Sequence, residues 1–431
     1  MKLNFLNWNV NVWALAALVG MGSLSSCSSD DDGPGDGGDT GEIVVDNGAT
    51  LSGIVTKGQT VILKEGRSFK LSGGYTVEDG GLLKIEPGVT IEAVEDDIVD
   101  FILVKMGGKI DAQGTADSPI IMTAQLKESK AWGGIHICGK AHTNKGTGTK
   151  SEIGDASYGS GTSTANDNDN SGTLRYIRLE YTGYAFTKEK ESNGLTCYAV
   201  GSGTTIDHIQ AYKGADDGFE FFGGSVNVKY LVATDCEDDS FDWTEGWNGK
   251  GQFLVADQRG TSGVKDDGDC LIEADNNGDD NAASPIAHPI LANMTLIGNS
   301  SSEGSRGIRL REGTEVEIYN SIVTGKPKSL TVETEITENA LKDGKSKLQY
   351  VVLGQAFSSN EGIYTEDLFL TEANKNQVNS ANIPAFADNS FVGVIDGAVK
   401  LSDSFFTETD YTGAVKDGDS NWGIGKAWIR K

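Results

Sequence analysis

The 431-residue chain carries 63 acidic against 36 basic residues, a formal net charge of −27. That balance excludes a nucleic-acid partner and excludes docking of the protein surface on anionic lipid head groups. A hydrophobic content of 37% with 57 glycines and 7 prolines suits an elongated β-rich body whose apolar residues are spread over many short strands.

At the start of the chain, Met1-Lys2 and the apolar residues 12–19 read as a signal peptide, too short to span a bilayer as a mature helix. Leu24-Ser25-Ser26-Cys27 resembles the lipobox of bacterial lipoproteins. The resemblance implies that residues 1–26 are removed and that Cys27 is diacylated on sulfur. Ser28-Ser29-Asp30-Asp31-Asp32 resembles the surface-export signal of Bacteroidetes lipoproteins, which implies an outer-membrane lipid anchor facing the cell exterior. Read without that resemblance, the aspartates are a solvated charge run. Residues 27–49 then form the lipidated cysteine and an acidic Gly/Asp tether with nothing to bury. No later stretch is apolar enough for a membrane-spanning helix.

From about Thr50 onward, short strands alternate with Gly-rich turns. Glu86-Pro87-Gly88-Val89-Thr90-Ile91, residues 108–115, Pro119-Ile120-Ile121-Met122-Thr123 and Trp132-Gly133-Gly134-Ile135 look like the N-terminal rungs of a family of secreted or lipid-anchored β-helix proteins found mostly in Bacteroidetes. Residues 170–181, 201–210, 219–224 and 293–298 are similar to the same family. The resemblance implies the fold and a surface location, and no particular activity.

The residues alone support that fold. Ile206-Asp207-His208-Ile209 falls on Val228-Lys229-Tyr230-Leu231, and Asp217-Gly218-Phe219-Glu220-Phe221 on Asp239-Ser240-Phe241-Asp242-Trp243, both at an offset of 22. A strand-like repeat of this length marks a solenoid. The expected fold is all-β, a single-stranded right-handed parallel β-helix over residues 50–330, with final rungs and a C-terminal capping module over 331–431. Residues 333–342 read as a short helix and 348–353 as a further strand. The closing aromatics, Phe405, Phe406, Tyr411, Trp422 and Trp428, are expected to cover the last rung, which otherwise exposes unpaired backbone. A sugar-stacking platform is the other reading of them.

Two apolar columns pass through five rungs: Leu195, Phe219, Phe241, Ile272, Ile308 and Cys197, Phe221, Trp243, Ala274, Leu310. Because side chains alternate faces along a strand, the column between them, Thr196, Glu220, Asp242, Glu273, Arg309, points outward. Three carboxylates then stack at the rung spacing of roughly 4.8 Å. Asp216, Asp217, Asp238 and Asp239 precede them in the turns and add oxygens suited to calcium. Three readings stay open: ordinary Asp turns with a solvated row, a structural cation, and catalysis. If the chain is an enzyme, Glu220, Asp242 and Glu273 are its acids, as in a glycoside hydrolase. Arg309 is the nearest base for a lyase.

His136, His142, His208 and His288 show no common spacing, and His208 shares its strand position with Tyr230. Cys138, Cys197, Cys236 and Cys270 match no zinc motif and read as buried thiols rather than disulfides. Residues 140–170 and 265–289 are excursions without apolar rhythm, of the kind that build a surface on one face. Residues 275–281 are rich in oxygen ligands but lack EF-hand spacing. The functional expectation is a non-enzymatic surface lipoprotein that binds glycan, with Tyr230 and Trp247 beside the acidic row, or that self-associates into a cell-surface coat. A polysaccharide lyase or glycoside hydrolase is the alternative. No cofactor is required, and calcium is the one cation that the residues suit.

Overall fold

The repeat of 22 residues appears directly as register, with Ile206 beside Val228 and Phe219 beside Phe241 on neighbouring rungs. The computed structural model describes residues 41–154, 156–187, 190–260, 270–299, 306–379, 381–387 and 390–430. The expected signal peptide (residues 1–26), Cys27 and residues 28–40 of the expected tether lie outside the described residues. Among the described residues, twenty-five strands pair in parallel as one sheet wound into a solenoid, so the expected parallel β-helix is what forms. The solenoid begins earlier than Thr50: Gly41–Val44 pairs with Gln59–Leu63. Residues 41–44, expected in the tether, thus form a strand of the solenoid even though all four are exposed, because their backbone pairs in register with the next rung.

Each full rung crosses three faces. Long strands such as Thr205–Tyr212, Asn227–Thr234 and Lys250–Asp257 supply the first and second faces. Shorter ones such as Leu195–Tyr198, Phe219–Phe222, Phe241–Thr244, Ile272–Ala274 and Arg306–Leu310 supply the third. A single residue with positive φ turns each long strand from the first face to the second: Tyr176, His208, Tyr230, Phe253, Asn293, Asn320 and Tyr350, at φ between 50° and 61°. That conformation is unfavourable for a side chain with a bulky Cβ. Stacking offsets the cost. Tyr176, His208 and Tyr230 lie ring on ring at 4.3 Å and 4.3 Å, and Phe253 follows Tyr230 at 5.0 Å.

The core is the set of inward columns. Both apolar columns expected on the third face are buried, with Phe219 stacked on Phe241 at 5.4 Å. The four cysteines are buried free thiols, as expected. The helix Glu335–Lys342 and the strand Lys347–Leu353 occupy the places expected of them.

The closing aromatics do not cover the last rung. Tyr364 and Phe369 do so, packed with Phe357 into the end of the core. Residues 391–430 instead run back along the bend as a strap. Its anchors are side-chain amides that grip the strap backbone from both sides. Asn320 donates to Val399 O (3.0 Å) and accepts from Val399 N (2.8 Å). Gln252 does the same with Thr407, and Gln210 with Arg430. The physical reason lies on the second face. Val232, Val255 and Ile297 point outward there, and Phe391, Ala414, Val415 and Trp428 cover them.

Asn293 is the most connected anchor, donating to Thr409 Oγ1, Tyr411 O and Gly413 O at 3.1, 3.1 and 3.2 Å. Asn293→Ala loses those bonds and places alanine at positive φ, for a cost of about 2 kcal/mol or more. Limited proteolysis is expected to cut the variant between residues 399 and 413 before any rung. A cleavage pattern identical to wild type would contradict this role.

Candidate functional site

The outward column on the third face forms as the alternation requires. Thr196 pairs with Glu220, Glu220 with Asp242, Asp242 with Glu273 and Glu273 with Arg309. The row is not openly solvated, however. Thr196 is fully buried and Glu220 only 9% exposed, because residues 139–154 and 156–170 fold over this end of the face. Tyr158 packs on Tyr198 at 5.1 Å and Tyr198 stacks on Phe222 at 4.8 Å. Beneath them Glu245 accepts hydrogen bonds from Thr143 and the Tyr158 hydroxyl, both 2.8 Å. None of these covering residues has a periodic spacing that would have announced it.

The turn aspartates do two things. Asn193 Oδ1 accepts from Asp217 N (3.1 Å), Asp217 Oδ1 from Asp239 N (3.0 Å) and Asp239 Oδ1 from Cys270 N (2.5 Å). This ladder is the turn chemistry expected of Asp. Their carboxylates also gather. Ligand oxygens of Asp217, Glu220 and Asp242 lie within 4.8 Å of one another, as do those of Asp217, Asp238 and Asp239. Asp216 joins Asp238 and Glu191 in the same way. The four aspartates expected at a cation are thus divided between overlapping sets, and Glu191, Glu220 and Asp242 belong with them.

Charge is balanced at only one end of the row. Arg309 bonds Glu273 (2.9 Å) and both oxygens of Glu333 (3.1 Å each), and Arg311 bonds Glu273 and both oxygens of Asp275. Glu273 is therefore an ion-pair partner, not a free acid. Burial works against the Arg309 charge, but its bond to Glu333 and the Glu273 charge hold the guanidinium more firmly protonated than usual. Arg309, the residue expected as base in a lyase, is thus engaged by two carboxylates. Among the described residues, Asp217, Glu220 and Asp242 are in no ion pair, and Asp242 Oδ1 is buried with no hydrogen-bond partner. Burial first, and then repulsion from neighbouring carboxylates, pushes Asp217, Glu220, Asp239 and Asp242 well above the usual carboxylate range.

These shifts fix a sign. A carboxyl whose folded pKa lies above its unfolded value keeps a proton that the unfolded chain releases, so its stabilising effect is lost as pH rises through the folded value. In chelator, Glu220→Gln is therefore expected to gain stability relative to wild type between pH 5 and pH 8, as read by denaturant unfolding at each pH. A constant difference across that range would contradict the assignment.

The aromatics expected beside the row do not serve it. Trp247 is 1% exposed and stacked on Phe221 at 4.3 Å, inside the solenoid. Tyr230 lies in the bend column of the first and second faces, with its two ring faces against His208 and Phe253. Neither offers a free ring face to a sugar. The histidines stay apart: His136 is buried and burial lowers it to about 4, His142 pairs with Asp167, and His288 lies beside Glu315. The oxygen-rich run at 275–281 folds on itself, Asn277 Oδ1 accepting from Asp279 N and Asp280 N.

Chemically, the unpaired carboxylates offer hard oxygen donors in a partly enclosed place. They suit calcium or magnesium rather than a metal that prefers nitrogen or sulfur. No curated protein and no solved structure matches the chain. A family model described as a pectate-lyase-like β-helix domain matches residues 53–391. Such a domain is compatible with glycan binding and with polysaccharide lysis or hydrolysis. By fold and by this match, the chain belongs to the pectate-lyase-like β-helix domain family.

Proposed function

We propose that this protein is an outer-membrane lipoprotein, held by diacylglyceryl-Cys27 and facing outward, that binds glycan without cleaving it. Its third face holds a divalent cation, calcium by the donor set, between Asp217, Glu220 and Asp242. The observation that carries this reading is the trio of carboxylates with mutually close oxygens, no ion-pair partner and one buried, unsatisfied oxygen. A cation would neutralise their repulsion and present open coordination positions to sugar hydroxyls or carboxylates.

The test uses purified protein with a panel of host and bacterial polysaccharides, in calcium and in chelator, reading both retention and product size. Retention that needs calcium, with polysaccharide length unchanged, is the expected result. A second reading, glycoside hydrolysis by Glu220 and Asp242, is favoured by their position on adjacent rungs with raised pKa values. It requires shortened products that vanish in Glu220→Gln and Asp242→Asn. If protein associates with itself and retains no polysaccharide, the glycan reading fails and the coat reading replaces it.

A further inference from the structure

The inward columns of the solenoid are closed at one end and open at the other. At the C-terminal end Tyr364 and Phe369 fill the core beside Phe357. At the N-terminal end one inward column runs from Ile43 through Val61 and Leu83 to Ile110. Val61 is 5% exposed and the next two are fully buried, whereas Ile43 is 41% exposed. Ile43 occupies a core position with no rung above it. Val44 beside it and Ile54 at the start of the third face are 47% and 55% exposed.

The backbone is open at the same place. Among the described residues, Gly41–Val44 pairs with Gln59–Leu63 alone, which leaves its other edge without a strand. Such an edge is a template for a further strand, and monomeric proteins blunt it with charge, proline or a covering segment. This strand has Glu42 as its one charge and no proline. The sequence ahead of it supplies no cover by composition. Residues 28–40 are Ser, Asp, Gly, Pro and Thr, with no large apolar side chain to extend the Ile43 column.

Charge decides what can meet this end. With a net charge of −27, two copies of the chain repel across most of their surface. Residues 41–85, which build the first rungs, carry five acidic and five basic residues. This neutral end is where a copy can approach its like. An edge strand paired antiparallel with its own copy about a two-fold axis gives a closed pair, in which the two Ile43 side chains meet. Growth beyond two copies is blocked, because Tyr364 and Phe369 cap the opposite end.

We propose that the N-terminal end of the solenoid is a self-association surface, where two copies join head to head by antiparallel pairing of residues 41–44 and burial of Ile43. The proposal rests on the expected removal of residues 1–26, and not on cation or glycan binding. Intact mass of the purified protein checks that removal separately. Sedimentation equilibrium in density-matched detergent at micromolar concentration is expected to give the mass of a dimer. Ile43→Lys and Val44→Lys are each expected to weaken association about a hundredfold, because each change is present twice in the interface. Leu368→Lys, at an exposed position near the opposite end, is expected to leave it unchanged. Added salt is expected to tighten the dimer, since it screens the remaining repulsion between acidic copies. The proposal is overturned by a monomer at that concentration, by a dimer that survives both lysine variants, by open-ended oligomers, or by a dimer that salt dissociates. Unchanged circular dichroism of the variants separates lost association from lost folding.

Discussion

Calcium at a hundred times its dissociation constant is expected to raise the melting temperature of the wild-type protein by about 5 °C, and Asp242→Asn to abolish the rise. The size follows from linkage: saturation at that ratio adds about 2.7 kcal/mol to the folded state, and a domain of this size gains about 2 °C per kcal/mol. The direction follows from geometry. Asp217, Glu220 and Asp242 are brought together by the rung spacing and the turn, not by attraction. Without a cation, their burial and mutual repulsion favour protonation. With one, all three ionise and the pH dependence described for Glu220→Gln shrinks. Magnesium should raise the melting temperature less, because it tolerates irregular oxygen cages poorly. A rise that persists undiminished in Asp242→Asn would place the cation elsewhere.

The second large effect concerns Trp247. Its ring lies parallel to Phe221 at 4.3 Å and tilted against Trp243 at 5.8 Å, and its Nε1 donates to Val226 O at 3.3 Å. At 1% exposure it is among the largest fully buried side chains of the solenoid. Trp247→Ala is therefore expected to cost about 3–5 kcal/mol of unfolding free energy, measured by denaturant titration. Trp247→Phe, which keeps the stack, should cost less than half of that. A surface tryptophan serving a sugar would show the reverse pattern, with stability kept and glycan retention lost. Unchanged stability of Trp247→Ala would contradict its place in the core.

The rungs were legible because parallel stacking repeats one local pattern. Phe219 and Phe241 recur at the offset of Ile206 and Val228, and alternation then assigns Glu220 and Asp242 to the outside without further information. What lies over that outside was not legible. Tyr158 and Glu245 reach the site from an excursion and a turn, where no period relates residue to neighbour. Glu191 meets Asp216 for the same reason. Trp247 misled because a tryptophan just beyond a strand looks exposed, whereas the turn after Thr244 carries it back inside. The strap was hidden for a different reason. Val232, Val255 and Ile297 resemble core residues whether they face inward or outward, so only three-dimensional register shows that the second face has an apolar exterior in need of cover. His208 and Tyr230 shared a strand position in the sequence. That this position is a bend, with rings stacked at positive φ, is a property of the folded rung.

The carboxylates of the third face are proposed to hold a cation. The most direct measurement is anomalous diffraction from crystals of the purified protein soaked in terbium, a calcium substitute with oxygen preference. One dominant peak is expected, bonded to carboxylate oxygens of Asp217, Glu220 and Asp242 at roughly the 2.3–2.6 Å of a calcium-like ion, and lost in Asp242→Asn. A dominant peak bound elsewhere, or none on this face, would contradict it.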